Sequence, residues 1–235
     1  MKSLKQLFKE ALVRQAGTQY GSNPGGVHVD SDTGEKYYVK HYDKGDQAKV
    51  EALTGKIYDH MGIKTINPEY QEIGGKHSVV TKWNENLGEM KPREFENLSS
   101  EQANQIGRMH AAATLTKNWD IVGLEHDNIM KDKRTGDLVS VDHGGSFHFR
   151  ARGGPKEYGP DVSERESLVN NREASGHVFG TTFNQHPEAR QAGIDAVRNI
   201  DHDHVKNLFK ESGLDNWEEL HKNFVARTKN FLAGT

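Results

Sequence analysis

Apolar residues recur at Leu4, Leu7, Phe8, Ala11 and Leu12, the spacing of one helical face, which predicts a first amphipathic helix. The period then changes. Within "QYGSNPGGVHVDSDTGEKYYVKHY" a glycine-rich turn runs from Gly21 to Gly26, an Asp-Thr-Gly turn spans 32 to 34, and Lys36 to Tyr42 is rich in β-formers. Short β-prone runs joined by turns predict a hairpin or small antiparallel sheet. Helical spacing returns at Val50, Leu53, Ile57 and Met61, and Gly62 ends it. "PEYQEI" and "HSVVTKW" read as two more strands around the Gly74-Gly75 turn. Residues 86–98 are polar and contain proline, as a connector between two lobes would. Ser99 with Gln102 has the form of a capping box, opening a helix whose stripe is Ala103, Ile106, His110 and Ala113. A loop, the strand "NIMKD", the turn "KRTG" and the strand "DLVSVD" come next, then the basic loop "FRARGGPKEYG". The remainder reads as helical, most clearly along Trp217, Leu220, Phe224 and Phe231.

Composition narrows the function classes. The 235 residues suit one large domain or two small lobes, and at 33% hydrophobic the chain is polar yet aromatic enough (3 Trp, 7 Tyr, 9 Phe) to build a core. A formal net charge of −3 argues against a dedicated nucleic-acid binder. No apolar run approaches the roughly 18 residues that span a bilayer, and the start "MKSLKQLFKEALVRQ" reads as an amphipathic helix rather than a secretory signal. The absence of cysteine excludes disulfides and thiolate zinc sites, and a cytoplasmic place of action fits.

Some polar residues are left unexplained by periodicity. Lys40 ends a β-rich run shortly after the glycine-rich turn, and Glu51 lies on the following helix. Asp120 and Asn128 flank a loop after a long helix, and Asp142 ends a strand before His143, Gly144 and Gly145. Singly, each reads as ordinary turn or surface chemistry. Jointly they match what a nucleotide site requires. A turn of small residues lets backbone N–H groups approach phosphates, a phosphate-reaching lysine needs a carboxylate partner, and Mg²⁺ takes carboxylate and amide oxygens. "DHDH" at 201–204 reads as a helix start with Asp201 as N-cap rather than a metal site, because His202 and His204, two apart, face apart on a helix. The cluster Arg150, Arg152 and Lys156 reads either as a solvated loop or as a contact for an acidic or phosphorylated group.

In the order "GSNPGG", "YYVK", "KVEALTGKIYDHMG", "NWDIVGLEHDNIM" and "VDHGGSF", the chain resembles the protein kinase-like superfamily over residues 20 to 150, and within it atypical bacterial and phage kinases of the HipA or effector sort. The resemblance implies an α+β, two-lobed fold. Residues 1–85 would form an N-lobe of small antiparallel sheet plus helix, 86–98 a connector, and 99–235 a mainly helical C-lobe. Gly21, Ser22, Gly25 and Gly26 would cover the phosphates, Lys40 would pair with Glu51, and Lys82 and Trp83 would lie near the adenine. Asp120 would be the catalytic base, while Asn128 and Asp142 would hold Mg²⁺, with Mn²⁺ as a substitute.

The implied activity is transfer of the γ-phosphoryl group of ATP to a Ser or Thr hydroxyl of a protein, as a bacterial or phage effector or toxin-like kinase acting on a host or target cell. A small-molecule kinase, an AMP-transferase and a nucleotide-binding pseudokinase stay open as alternatives. The chain departs from the pattern at three points. Seven residues rather than four separate Asp120 from Asn128, His143 stands where an aromatic usually follows the metal aspartate, and no Ala-Pro-Glu segment follows.

Overall fold

The β-branched and aromatic residues of Lys36–Tyr42 form the middle strand of a five-stranded antiparallel sheet. The computed structural model describes residues 12–17 and 23–234. The first half holds β1 (Leu12–Arg14), β2 (Gly25–Asp30), β3 (Lys36–Tyr42), α1 (Gly45–His60), β4 (Glu69–Ile73) and β5 (Lys76–Lys82), with sheet order β1-β2-β3-β5-β4. The helix expected over the first dozen residues lies outside the described residues except at Leu12. That residue opens β1 opposite Asp30 rather than continuing a helix. Gly21 and Ser22 also lie outside the described residues.

Register decides which side chains face which way. Tyr38 pairs with Thr81 and Lys40 with Val79, so these four share one face of the sheet. Val39 pairs with Val80 on the other face, where Tyr37 completes a small apolar cluster. α1 closes over the sheet, burying Val50, Leu53, Ile57 and Tyr58, and ends where Gly62 takes φ 74°.

One turn design occurs twice. In Asp30–Gly34 and again in Asp132–Gly136 the aspartate Oδ1 accepts two backbone N–H bonds (2.8 and 3.3 Å in each case). Each turn closes on a glycine with positive φ, 72° and 81°. The second joins β7 (Ile129–Asp132) to β8 (Leu138–Ser140), and β6 (Leu87–Glu89) pairs with β7 to complete a three-stranded sheet. The polar stretch 86–98 is thus built into the second half through β6 and a 3-10 turn at Pro92–Asn97.

α2 (Ser100–Thr116) is the axis of the second half. Its capping box forms, with Gln102 N–H donating to Ser99 Oγ (3.2 Å) and Ser99 N–H to Gln102 Oε1 (3.1 Å). The stripe Ala103, Ile106, His110 and Ala113 is buried. Around it lie α3 (Glu164–Asn170), α4 (Ala174–Gln185), α5 (Glu188–Arg198), α6 (His202–Glu211) and α7 (Trp217–Ala233). At the crossing of α2 and α5 a Cβ on Gly107 would stand 1.8 Å from the Ala189 carbonyl oxygen, so only glycine lets the two backbones approach this closely. Asp201 caps α6, accepting from the N–H groups of Asp203 and His204 at 3.0 Å each. Leu220, Phe224 and Phe231 of α7 enter the main core, and truncating a fully buried Phe such as Phe224 to alanine costs about 3–5 kcal/mol.

Candidate active site

Lys40, halfway along a face that also carries Tyr38, points its ammonium at two carboxylates. Nζ lies 3.3 Å from Glu51 Oε2 of α1 and 2.7 Å from Asp142 Oδ1. Glu51 is fixed in turn by Tyr42, whose hydroxyl donates to the same Oε2. Tyr42 follows Lys40 by two residues on the same face of β3, so strand period 2 was a signal that could have flagged it. The Glu51 side chain is 3% exposed and that of Asp142 46% exposed, so the first anchors the lysine and the second meets solvent.

The electrostatics follow from this arrangement. Burial alone would lower the Lys40 pKa, but Glu51 and Asp142 reverse the effect and hold it above the usual lysine value. Burial raises the Glu51 carboxyl against the pull of Lys40, and the charge of Asp142 pushes the same way. For Asp142, burial is outweighed by Lys40, which holds the carboxyl below its ordinary value. Asp142 also has φ 54°, a left-handed conformation that costs a non-glycine residue about 1–3 kcal/mol. Such strain persists only where the surroundings impose it.

Next to it, His143 turns inward. It is fully buried, packs edge-on against Tyr58 of α1 (ring centroids 4.9 Å apart) and bonds Ser140 Oγ through Nε2 at 3.0 Å. Burial pushes its pKa down to about 4, so it is a neutral ring filling an aromatic's place under α1.

Asp120 and Asn128 meet despite the seven residues between them. Asn128 Nδ2 donates to the Asp120 backbone oxygen (2.6 Å) and reaches its Oδ2 at 3.4 Å. The extra residues fold into turns through two left-handed positions, Gly123 (φ 76°) and His126 (φ 66°). The Asp120 backbone N–H is held by Asn118 Oδ1 at 3.0 Å. Burial raises the Asp120 carboxyl to about 6, helped by the neighbouring carboxylates of Asp142 and Asp127. A carboxyl tuned that close to neutrality suits proton transfer.

A cavity of about 510 Å³ joins these groups except Asp120, which adjoins it through its bonds to the lining residue Asn128. Its lining includes Tyr38, Lys40, Glu51, Asp127, Asn128 and Asp142. Lys82 and Trp83 line it as well, with apolar walls from Val79, Leu87, Met130 and Val141. Gly25 and Gly26 lie not in a free loop but in β2, where Gly25 pairs with Lys40 and a Cβ would meet the Val39 carbonyl oxygen at 2.2 Å. Asn23, within the glycine-rich stretch, reaches the cavity.

The loop after Asp142 is tied to both halves. Gln47 of α1 donates to Gly144 O and Ala151 O (3.3 Å each), and Lys44 Nζ donates to Gly153 O (2.8 Å). From the other side Lys156 Nζ donates to Gly145 O (2.6 Å) and Lys117 O (2.5 Å).

No protein-family model matches the sequence, and no curated protein matches it either. Solved structures do match. The Helicobacter pylori proinflammatory kinase CtkA aligns over 96% of this chain and 92% of its own with a TM-score of 0.59 at 13% sequence identity. The chain has a protein kinase-like fold. In this fold the five-stranded sheet with α1 is the smaller lobe, the helices from α2 onward form the larger one, and the cavity lies between them. A choline/ethanolamine kinase family protein from Mesorhizobium loti covers 97% of the chain and 90% of its own at 14% identity, but its TM-score of 0.37 is below the level of a shared fold.

Proposed function

We propose that the protein is a phosphotransferase that moves the γ-phosphoryl group of ATP to a Ser or Thr hydroxyl of a protein. The observation that carries this is the sharing of Lys40 between Glu51 and Asp142 in a cavity that Asn128 also lines, with Asp120 held just outside that lining by its bonds to Asn128.

Two tethered carboxylates fix the Lys40 ammonium, so no ordering is needed when an anion arrives. A triphosphate entering the cavity would take Lys40 from Asp142, while Glu51 keeps it positioned. The apolar walls of Val79, Leu87 and Met130 suit a flat heteroaromatic base. The donor set fits a hard divalent cation. Asp142 offers an exposed carboxylate, and Asn128, with its Nδ2 occupied by Asp120, has its amide oxygen left for a ligand. Bound there, Mg²⁺ would neutralise charge on the phosphate oxygens. Asp120 receives the proton of the acceptor hydroxyl as that oxygen bonds to the γ-phosphorus, the bond from the γ-phosphorus to the β–γ bridging oxygen breaks, and ADP leaves. The fold shared with a bacterial kinase supports phosphotransfer; the protein acceptor and the bacterial or phage effector setting are our reading of the sequence pattern.

The acceptor class is tested by incubating the protein with γ-labelled ATP and Mg²⁺ against two fractions of a cell lysate, the proteins and the dialysable small molecules. Label in protein that survives acid and is released by alkali, as phosphoserine and phosphothreonine are by β-elimination, supports the proposal. Label confined to the small-molecule fraction overturns the protein acceptor and makes the chain a small-molecule kinase.

A further inference from the structure

Three large apolar side chains stand exposed among the described residues, and two of them, Trp119 (43%) and Leu124 (75%), belong to the segment that carries Asp120. Trp119 is not a mobile ring. Its Nε1–H donates to Glu164 Oε1 at 3.0 Å, which holds the indole plane in place. Three cations surround that plane: Lys156 Nζ at 4.8 Å from the ring centroid, Lys117 Nζ at 5.6 Å and the Arg150 guanidinium carbon at 5.6 Å.

The charge there is unbalanced. Lys117, Arg150 and the fully buried Arg227 all act on Lys156, with Glu164 as the opposing carboxylate. Glu164 is already committed, to Arg227 by a short ion pair and to Trp119, and lies 3.8 Å from Lys117. Arg150 is exposed and has no carboxylate within ion-pair distance among the described residues. Burial pushes the Lys156 pKa down to about 7, with Lys117, Arg227 and Arg150 adding to it against the pull of Glu164.

The cluster adjoins the candidate base. The Lys156 ammonium bonds Gly145 O, and a Cβ on Gly145 would lie 3.5 Å from the Asp120 Cβ and 3.3 Å from Ala151, the neighbour of Arg150. It is not part of the nucleotide cavity, because Trp119, Lys117, Arg150 and Lys156 are absent from that lining. A rigid aromatic plane with surplus cations, beside the base but outside the nucleotide cavity, has the chemistry to receive the acceptor.

We propose that Trp119 and Arg150, with Lys117 and Lys156 beneath them, form an acceptor site for an acidic segment of a protein, in which Asp or Glu side chains flank the hydroxyl delivered to Asp120. Arg150 and Lys117 bind the carboxylates, and the indole gives the peptide backbone a flat surface. The inference rests on the phosphotransfer reading above.

The test uses the full chain with Mg²⁺, γ-labelled ATP and three sets of Ser/Thr peptides flanked by acidic, alanine or basic residues. Acidic peptides should have kcat/KM about tenfold or more above the alanine set, the equivalent of one desolvated charge contact. Arg150→Glu should raise KM for them about tenfold with kcat little changed and move the preference toward basic peptides, while Arg150→Lys keeps most of the preference. Unchanged thermal melting would show that Arg150→Glu is folded. Equal use of the three sets, or an unchanged preference in Arg150→Glu, overturns the acceptor site. Labelling only of small molecules overturns it while phosphotransfer stands. Failure of ATP to raise the melting temperature, together with no labelled acceptor of any kind, removes phosphotransfer itself and the acceptor site with it.

Discussion

One ammonium held by two carboxylates determines what single substitutions at Lys40, Glu51 and Asp142 should do. Glu51→Gln keeps the shape and the bond to Tyr42 but removes the charge that would hold Lys40 once phosphates displace Asp142. It should lower kcat/KM for ATP by about tenfold or more with little loss of stability, measured by steady-state kinetics and thermal melting. Asp120→Asn should lower kcat by about 10²–10⁴-fold while ATP binding by calorimetry stays unchanged. Normal turnover in Asp120→Asn would move the proton acceptor to Asp127, which itself lines the cavity. Lys40, Glu51, Asn128 and Asp142 could be singled out in the sequence because each is a polar residue that its element's period does not require. Tyr42 and Lys156 were harder to read. Tyr42 passes for an ordinary strand aromatic, and what Lys156 does depends on two carbonyls, of Lys117 and Gly145, far from it in the chain.

The strands and helices were largely legible where period and punctuation agree, as in β3, in α1 with its Gly62 stop, and in α2 with its capping box. β6 was not, since three residues, Leu87–Glu89, are too few to show alternation, and it exists by pairing with β7. The role of Gly107 was equally hidden. A glycine inside a helix weakens it by about 1 kcal/mol, and the reason for it lies on α5, some eighty residues on. Gly107→Ala should therefore destabilise rather than strengthen the helix. The added methyl must push α5 away, at about 1–3 kcal/mol, and lower the melting temperature by several degrees at about 2–4 °C per kcal/mol for a chain of this size. An unchanged or higher melting temperature would show that α2 and α5 do not cross at this distance.

For the molecule as a whole, the buried imidazole of His110 links the core to pH. It lies edge-on to Phe179 and Phe183 of α4 (ring centroids 5.0 and 5.1 Å away), bonds Arg165 O through Nε2 at 3.0 Å, and burial pushes its pKa down to about 4. The folded state keeps this ring neutral, whereas the unfolded chain takes up a proton below about 6.5. Between those values the unfolded state binds more protons, so stability falls as pH falls. The contribution is complete above pH 6.5 and is lost as pH drops to about 4, amounting to about 3 kcal/mol over the whole range. Denaturant unfolding from pH 7 to 4 should show this slope, and His110→Gln should flatten it even though it lowers stability at neutral pH. An unchanged slope in the variant would place the acid sensitivity elsewhere. The two lobes were legible as a succession of element types, but the cavity between them depends on the register Lys40↔Val79 and on the loop ties from Gln47 and Lys44, which no local pattern encodes.

Incubation of the purified chain with Mg²⁺ and, in parallel, ATP labelled at the γ- or the α-phosphate tests phosphotransfer most directly, with Asp142→Asn as the control that keeps size and removes the charge facing the cavity. γ-label should appear on an acceptor and vanish in Asp142→Asn, with no α-label transferred. Transfer of the α-label, or γ-transfer that survives Asp142→Asn undiminished, would contradict phosphoryl transfer by this site.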